Sequence, residues 1–286
     1  MTASSEQSIQ HVTARDGIEI AYTESGSSGP LVVFVHATGF CKEVCDPVIA
    51  DTRSHDVEFR ALALDLRAHG DSGVPPRPFD WWDVGGDLAE LIGAERQVIG
   101  VGHSAGGAVL VLAELIQPGT FASFVLVEPI VLPPPYVRRP DHPMALGALR
   151  RKPGFTSRQA AFDNFMRKRT FSAWEERAMW AYVSGGMREE DGGAVLKCTP
   201  ECEAEFFAAA TMHGAWDRLG EVRVPSIVIA GAESTTHQEP FVAELAGRFV
   251  DARYEIIPGA SHFVWMERPG VIAAHLADAL NGLTSH

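Results

Sequence analysis

The sequence predicts an α/β domain, a mostly parallel central sheet with helices on both faces, interrupted by a helical insertion. Three observations predict it. Short, β-branched apolar runs alternate with helical patterns over residues 18–127, and such alternation makes parallel sheets covered on both sides. The alternation stops at Pro133-Pro134-Pro135 and resumes after Pro225. The chain has 286 residues, enough to bury roughly 75% of its unfolded surface without disulfide or metal staples.

The elements follow in order. Residues 18–23 alternate apolar and polar and read as a strand. The runs 31–35 and 60–64 read as buried strands, 83–92 as a helix, 97–101 as a strand, 105–115 as a helix and 123–127 as a strand. The proline triplet ends this series, because proline supplies no N–H to a ladder. Residues 136–220 look helical, with amphipathic stretches at 157–169, 172–185 and 201–218 that carry Phe162, Trp174, Trp180, Phe206 and Trp216. A strand at 226–230, a helix at 240–248, a strand at 253–257 and a helix at 269–280 complete the chain. The expected division is a core of residues 1–132 and 221–286 and an insertion of 133–220, with both ends of the insertion at one edge of the sheet.

Composition narrows the function. Hydrophobic residues make up 46% and charged residues 21%, as in ordinary globular proteins. The net charge of −13 gives no attraction to phosphate backbones or anionic lipid, so neither nucleic acid nor a membrane is expected as a partner. The N-terminal stretch has no basic segment followed by an apolar one, and no apolar run reaches about 18 residues. A cytoplasmic protein is the expectation. The cysteines form two pairs, Cys41/Cys45 and Cys198/Cys202. Zinc knuckles more often space their cysteines by two residues, and thiols four apart on a helix share one face, so packing is the expected role. No glycine-rich phosphate loop or metal-ligand cluster is visible, so no cofactor and no metal is expected. The expected partner is a small-molecule substrate; oligomeric state stays open.

The chemistry concentrates in Gly102-His103-Ser104-Ala105-Gly106-Gly107, between a predicted strand and a predicted helix. A sharp turn there needs backbone angles that glycines on either side make room for. It lifts the Ser104 hydroxyl above the sheet and points the free N–H groups of a helix N-terminus beside it. A glycine-rich turn with an incidental serine is the plainer reading; the setting between strand and helix favours a nucleophile. A serine nucleophile needs a base. His262, in Pro258-Gly259-Ala260-Ser261-His262-Phe263, follows the last predicted strand and reaches the same sheet edge. His103 is held within the turn, and His36 and His69 sit in nearby loops.

With these stretches, the chain resembles the α/β-hydrolase superfamily over nearly its whole length, with a serine nucleophile and a helical cap inserted after strand six, the strand ending at Val127. His36-Ala37-Thr38-Gly39-Phe40 and Asp65-Leu66-Arg67-Ala68-His69-Gly70-Asp71-Ser72 carry the likeness together with the serine turn and Gly259-Ala260-Ser261-His262. The resemblance implies an oxyanion hole from the backbone N–H groups of Ala105 and Thr38. It also implies an acid that orients His262. Many relatives place an aspartate three residues after the glycine ending the next core strand. Here that glycine is Gly231 and the place holds Ser234. Two carboxylates compete for the role, Glu128 at the end of the 123–127 strand and Glu233 beside the vacant place. Some relatives, certain lactonases among them, put the acid where Glu128 stands.

The resemblance implies a serine hydrolase that cleaves an ester or lactone of a mostly apolar small molecule through an acyl-enzyme. A C–C bond hydrolase, a cofactor-free lyase or cyclase, and a receptor-like ligand-binding protein remain the alternatives. A serine at the turn speaks against haloalkane dehalogenases and epoxide hydrolases, which carry aspartate there.

Overall fold

The computed structural model describes residues 8–284. Residues 1–7 of the stretch read for a secretory signal lie outside them, as does His286. The strands β1 (Gln10–Thr13), β2 (Glu19–Ser25), β3 (Leu31–Val35), β4 (Arg60–Leu64), β5 (Val98–His103) and β6 (Phe121–Val127) join β10 (Ser226–Gly231) and β11 (Ala252–Ile257) in one sheet. The sheet order is β1-β2-β4-β3-β5-β6-β10-β11; β1 and β2 pair antiparallel, β2 pairs antiparallel with β4, and every other pairing is parallel. This is the mostly parallel sheet the sequence predicts.

Helices cover both faces. On one side pack α2 (Trp81–Ile92), α3 (Ala105–Ile116) and α8 (Glu239–Arg248); on the other pack α1 (Asp46–Arg53), the short α9 (Val264–Glu267) and α10 (Pro269–Thr284). β3 shows why its sequence is apolar throughout. Leu31, Val33 and Val35 enter one core cluster, and Val32 and Phe34 enter the other, so neither face of the strand meets water.

Residues 133–220 differ from the all-helical expectation. They contain α4 (Pro143–Ala148), α5 (Arg158–Met166), α6 (Glu176–Gly185) and α7 (Pro200–Ala208). They also contain an antiparallel sheet ordered β7-β9-β8, built from β7 (Gly154–Phe155), β8 (Met187–Glu190) and β9 (Gly193–Leu196). Asp191 and Gly192 join β8 to β9 with φ of 50° and 75°, the left-handed pair that a tight hairpin requires. The helix expected over 201–218 breaks at Ala208 and gives way to a 3-10 turn at Ala215–Glu221 after Gly214, whose φ is 62°. That turn packs on α3 and α8. The ends of the insertion also lie apart: β6 and β10 are parallel, so the chain leaves one end of the sheet and re-enters at the other.

An ion network ties the insertion to the core. Lys42, 1% exposed, holds Asp65 at 2.8 Å and Asp71 at 2.7 Å, and Lys197 from the insertion reaches Asp71 at 2.5 Å. The four thiols are free and buried. Cys41 and Cys45 lie in one apolar cluster and Cys198 and Cys202 in the other. Among the described residues no helix is long and apolar enough to cross a membrane.

Candidate active site

Ser104 stands between β5 and α3 with φ of 54° and ψ of −108°, a strained conformation for a residue with a side chain. The close approach behind it explains the glycines. A Cβ on Gly106 would lie 2.0 Å from the Val35 carbonyl oxygen, and one on Gly102 would lie 2.6 Å from the Gly106 backbone. Ser104 is 5% exposed. Its hydroxyl donates to Nε2 of His262 at 3.2 Å, and Nδ1 of His262 donates to Oε2 of Glu128 at 2.8 Å. The fold therefore brings together Ser104, His262 and Glu128, residues separated by up to 158 positions in the chain.

Of the two competing carboxylates, Glu128 is the one the fold places beside His262 and Ser234. β6 and β10 are neighbours in register, Val127 beside Ile229, so a side chain just past β6 reaches the end of β10. Glu128 also has a positive φ, 50°. Its Oε1 accepts from the Gly231 N–H at 2.8 Å, and its Oε2 accepts from the Ser234 hydroxyl at 2.7 Å. The serine in the usual acid position thus binds the carboxylate that arrives from the adjacent strand. Burial opposes the charge on Glu128, yet its hydrogen bonds with His237 and His262 hold its carboxyl well below the usual range. Glu233, the competing acid, has an exposed side chain.

The loop after β3 positions the other expected donors. The Gly39 N–H is spent on His69 Nε2 at 2.9 Å and the Phe40 N–H on the Ala37 carbonyl at 3.2 Å. That leaves the N–H of Thr38, whose Oγ1 is buried and without a partner. The Ala105 N–H opens α3, where helix geometry provides no carbonyl for it. His36 and His69 brace this loop rather than act in it. His36 Nδ1 donates to the Ala37 carbonyl and its Nε2 accepts from Leu66; His69 Nδ1 donates to the Arg67 carbonyl. Burial lowers their pKa values to about 4 and about 3, so both rings stay neutral. His103 donates from Nε2 to the His262 carbonyl at 2.9 Å and steadies the backbone of that residue.

One site residue was not legible as such. His237 is 1% exposed, with Nε2 3.0 Å from the Pro129 carbonyl and Nδ1 2.9 Å from Glu128 Oε2. In the fold Glu128, His237 and His262 bring one nitrogen or oxygen atom each within 4.8 Å of one another.

The sequence pattern of the alpha/beta hydrolase family matches residues 32–275. The chain belongs to the alpha/beta hydrolase family. This alpha/beta hydrolase is 26% identical over 254 residues to the 2-(acetamidomethylene)succinate hydrolase of Mesorhizobium japonicum, covering 86% of each chain. Among the solved structures that share its fold are two hydrolases. One is E-2-(acetamidomethylene)succinate hydrolase, with a TM-score of 0.79, 22% identity, and coverage of 96% of this chain and 100% of that one. The other is the enol-lactonase from Burkholderia xenovorans LB400, with a TM-score of 0.72, 20% identity, and coverage of 95% and 100%. The family and the hydrolases among these relatives make this protein an enzyme of the hydrolase kind.

Proposed function

We propose that this alpha/beta hydrolase is a serine hydrolase that cleaves an ester or lactone of a mostly apolar small molecule. The observation that carries the reading is the chain of contacts from Ser104 Oγ through both nitrogens of His262 to Glu128, at 3.2 and 2.8 Å. Ser104 attacks the carbonyl carbon. His262 Nε2 takes its proton and later returns it to the leaving oxygen. Glu128 keeps the other ring proton on Nδ1 and stabilises the imidazolium that forms. The N–H groups of Thr38 and Ala105 bind the developing oxyanion, where loss of one donor typically costs ~10²–10³ in rate. Water then cleaves the acyl-enzyme.

The insertion acts as a cap, and its aromatic content supports the apolar substrate. Phe40, which follows the Thr38 loop, packs on Trp174 at 5.4 Å and Tyr182 at 5.1 Å. Phe263, next to His262, packs on Trp174 at 5.4 Å and Phe171 at 5.7 Å. These rings gather apolar surface beside the Thr38 loop and His262, the kind of surface that lines ligand pockets. The likeness to a succinate-derivative hydrolase and to an enol-lactonase supports hydrolytic chemistry on small acyl compounds. The test is turnover of a panel of chromogenic esters and lactones by wild type and Ser104→Ala side by side. Turnover that disappears with Ser104→Ala is the expected result. Turnover that survives the substitution refutes the acyl-enzyme route.

A further inference from the structure

Four polar atoms crowd one oxygen at this site. Around Glu128 Oε2 stand Ser234 Oγ at 2.7 Å, His262 Nδ1 at 2.8 Å, His237 Nδ1 at 2.9 Å and Thr236 Oγ1 at 3.4 Å. A carboxylate oxygen offers about two lone-pair sites. His237 adds a second conflict. A carbonyl only accepts, so the Pro129 oxygen fixes the ring proton of His237 on Nε2. The Nδ1 lone pair of that tautomer then faces the Oε2 lone pairs at 2.9 Å. Two such atoms are held together by a cation between them, either a proton or a metal ion.

The geometry suits a metal ion. Thr236 Oγ1 lies 3.2 Å from His262 Nδ1 and 3.1 Å from His237 Nδ1. With Glu128 Oε2, these atoms form a four-cornered cage whose remaining edge, between the two Nδ1 atoms, is no longer than 4.8 Å. Edges near 3 Å put the centre of such a cage roughly 2 Å from its corners, the distance of zinc to nitrogen or carboxylate oxygen. The Pro129 carbonyl supplies the outer hydrogen bond that orients a ligating histidine. Two imidazoles and one carboxylate suit a borderline first-row ion rather than calcium or magnesium, which take six or more oxygens. The His262 side chain is 28% exposed and gives the ion a way in.

We propose that Glu128, His237 and His262 form a binding site for a divalent transition-metal ion, and that its occupation switches the nucleophile off. The proton balance gives the reason. In the metal-free site the single ring proton of His262 is on Nδ1 and Nε2 is free to accept from Ser104. The ion takes Nδ1; that proton leaves to solvent and one is taken up at Nε2, so the ring stays neutral. Ser104 then faces an N–H donor and keeps its own proton. His237 gives up to solvent the proton that joins its Nδ1 to Glu128 Oε2 in the metal-free site.

The switching part rests on the serine-hydrolase reading; the binding part does not, so the experiment measures them separately. Zn²⁺ is titrated by calorimetry into metal-stripped Ser104→Ala protein, which keeps every ligand atom. One site per chain is expected, weakened about tenfold or more by His237→Asn. Co²⁺ with the unsubstituted protein gives a readout free of folding effects. Intense visible bands of a four-coordinate ion support the site, and the pale spectrum of a six-coordinate ion overturns it. Zn²⁺ is then added to active enzyme and each protein is compared with its own metal-free rate. Inhibition reversed by chelator and blunted by His237→Asn supports the switch. Absence of binding, binding indifferent to His237→Asn, or binding that leaves turnover intact overturns the proposal. A protein that binds Zn²⁺ as described yet hydrolyses nothing would sink the hydrolase reading and leave the metal site standing.

Discussion

Replacing Glu128 by glutamine exchanges one carboxylate oxygen for an NH₂ group and keeps the shape, so its effect follows from donors and acceptors. Oε1 accepts from the Gly231 N–H and Oε2 from Ser234 and His262. An amide has one acceptor oxygen to serve both sides. With the oxygen toward His262, the NH₂ group meets the Gly231 N–H, donor against donor, a buried conflict worth about 1–3 kcal/mol. With the NH₂ group toward His262, Nδ1 must become the acceptor and the ring proton moves to Nε2, against Ser104. The second arrangement keeps the backbone bond to Gly231 and sacrifices the tautomer. Loss of the correct tautomer lowers turnover by about 10⁴ in a serine triad, a barrier increase of about 5 kcal/mol. The assay is the rate at which a fluorophosphonate labels Ser104, read by intact mass, which needs no knowledge of the substrate. Glu128→Gln should label at least about 10³ more slowly than wild type, while Glu233→Gln, altered at an exposed side chain, should stay within about threefold. A folded Glu128→Gln that labels within about tenfold of wild type would refute the reasoning.

Three further outcomes follow from burial and packing. Lys42→Met strips the fully buried Asp65 of its countercharge and should destabilise the protein by about 3–5 kcal/mol in urea unfolding; a change under about 1 kcal/mol would mean that water reaches Asp65. Gly106→Ala drives a methyl into the Val35 carbonyl and should cost about 3 kcal/mol, while Gly147→Ala in α4, with open space around it, should stabilise by about 0.5–1 kcal/mol. Equal effects at both glycines would contradict the packing argument. Acidification should weaken the fold through buried neutral histidines: burial lowers His36, His69 and His213 to about 4, about 3 and about 4 from 6.5. The unfolded chain takes up these protons first as pH falls, so stability rises with pH. These rings contribute no pH dependence above about pH 7, and below about 6.5 each removes about 1.4 kcal/mol per pH unit until its folded pKa is reached. Urea midpoints that are flat between pH 6.5 and 5 would disprove this.

What was legible in the sequence is what local chemistry dictates. The serine turn is legible because backbone strain and close approach leave no alternative to glycine at 102 and 106. His262 is legible because a loop just past a strand at the sheet's active edge has few residues to offer. The hairpin joining β8 to β9 carries a turn signal, Asp191-Gly192, but the residues around it favour helix. The 201–218 stretch misled for the reverse reason: apolar residues recur at helical spacing through a segment that Gly214 interrupts.

Glu128 and His237 mark the boundary between what a strand end reveals and what only sheet order reveals. An acid after an apolar strand stands out, since a charge there needs a partner. Nothing local marks His237, which lies in a polar run, Glu233-Ser234-Thr235-Thr236-His237-Gln238, that reads as an ordinary loop. Its role comes from the adjacency of β6 and β10, which stacks the loop after one strand on the loop after the other. In the proposed triad the displaced acid makes that adjacency matter. An acid at position 234 would hold His262 from its own loop and leave the end of β6 free. With the carboxylate arriving from β6, the β10 loop must satisfy it, and Ser234, Thr236 and His237 all turn toward Glu128. Moving the acid one strand over thus explains both the vacancy at Ser234 and the second histidine. It also makes His237 a residue whose removal should change metal sensitivity more than it changes the positions of Ser104 and His262.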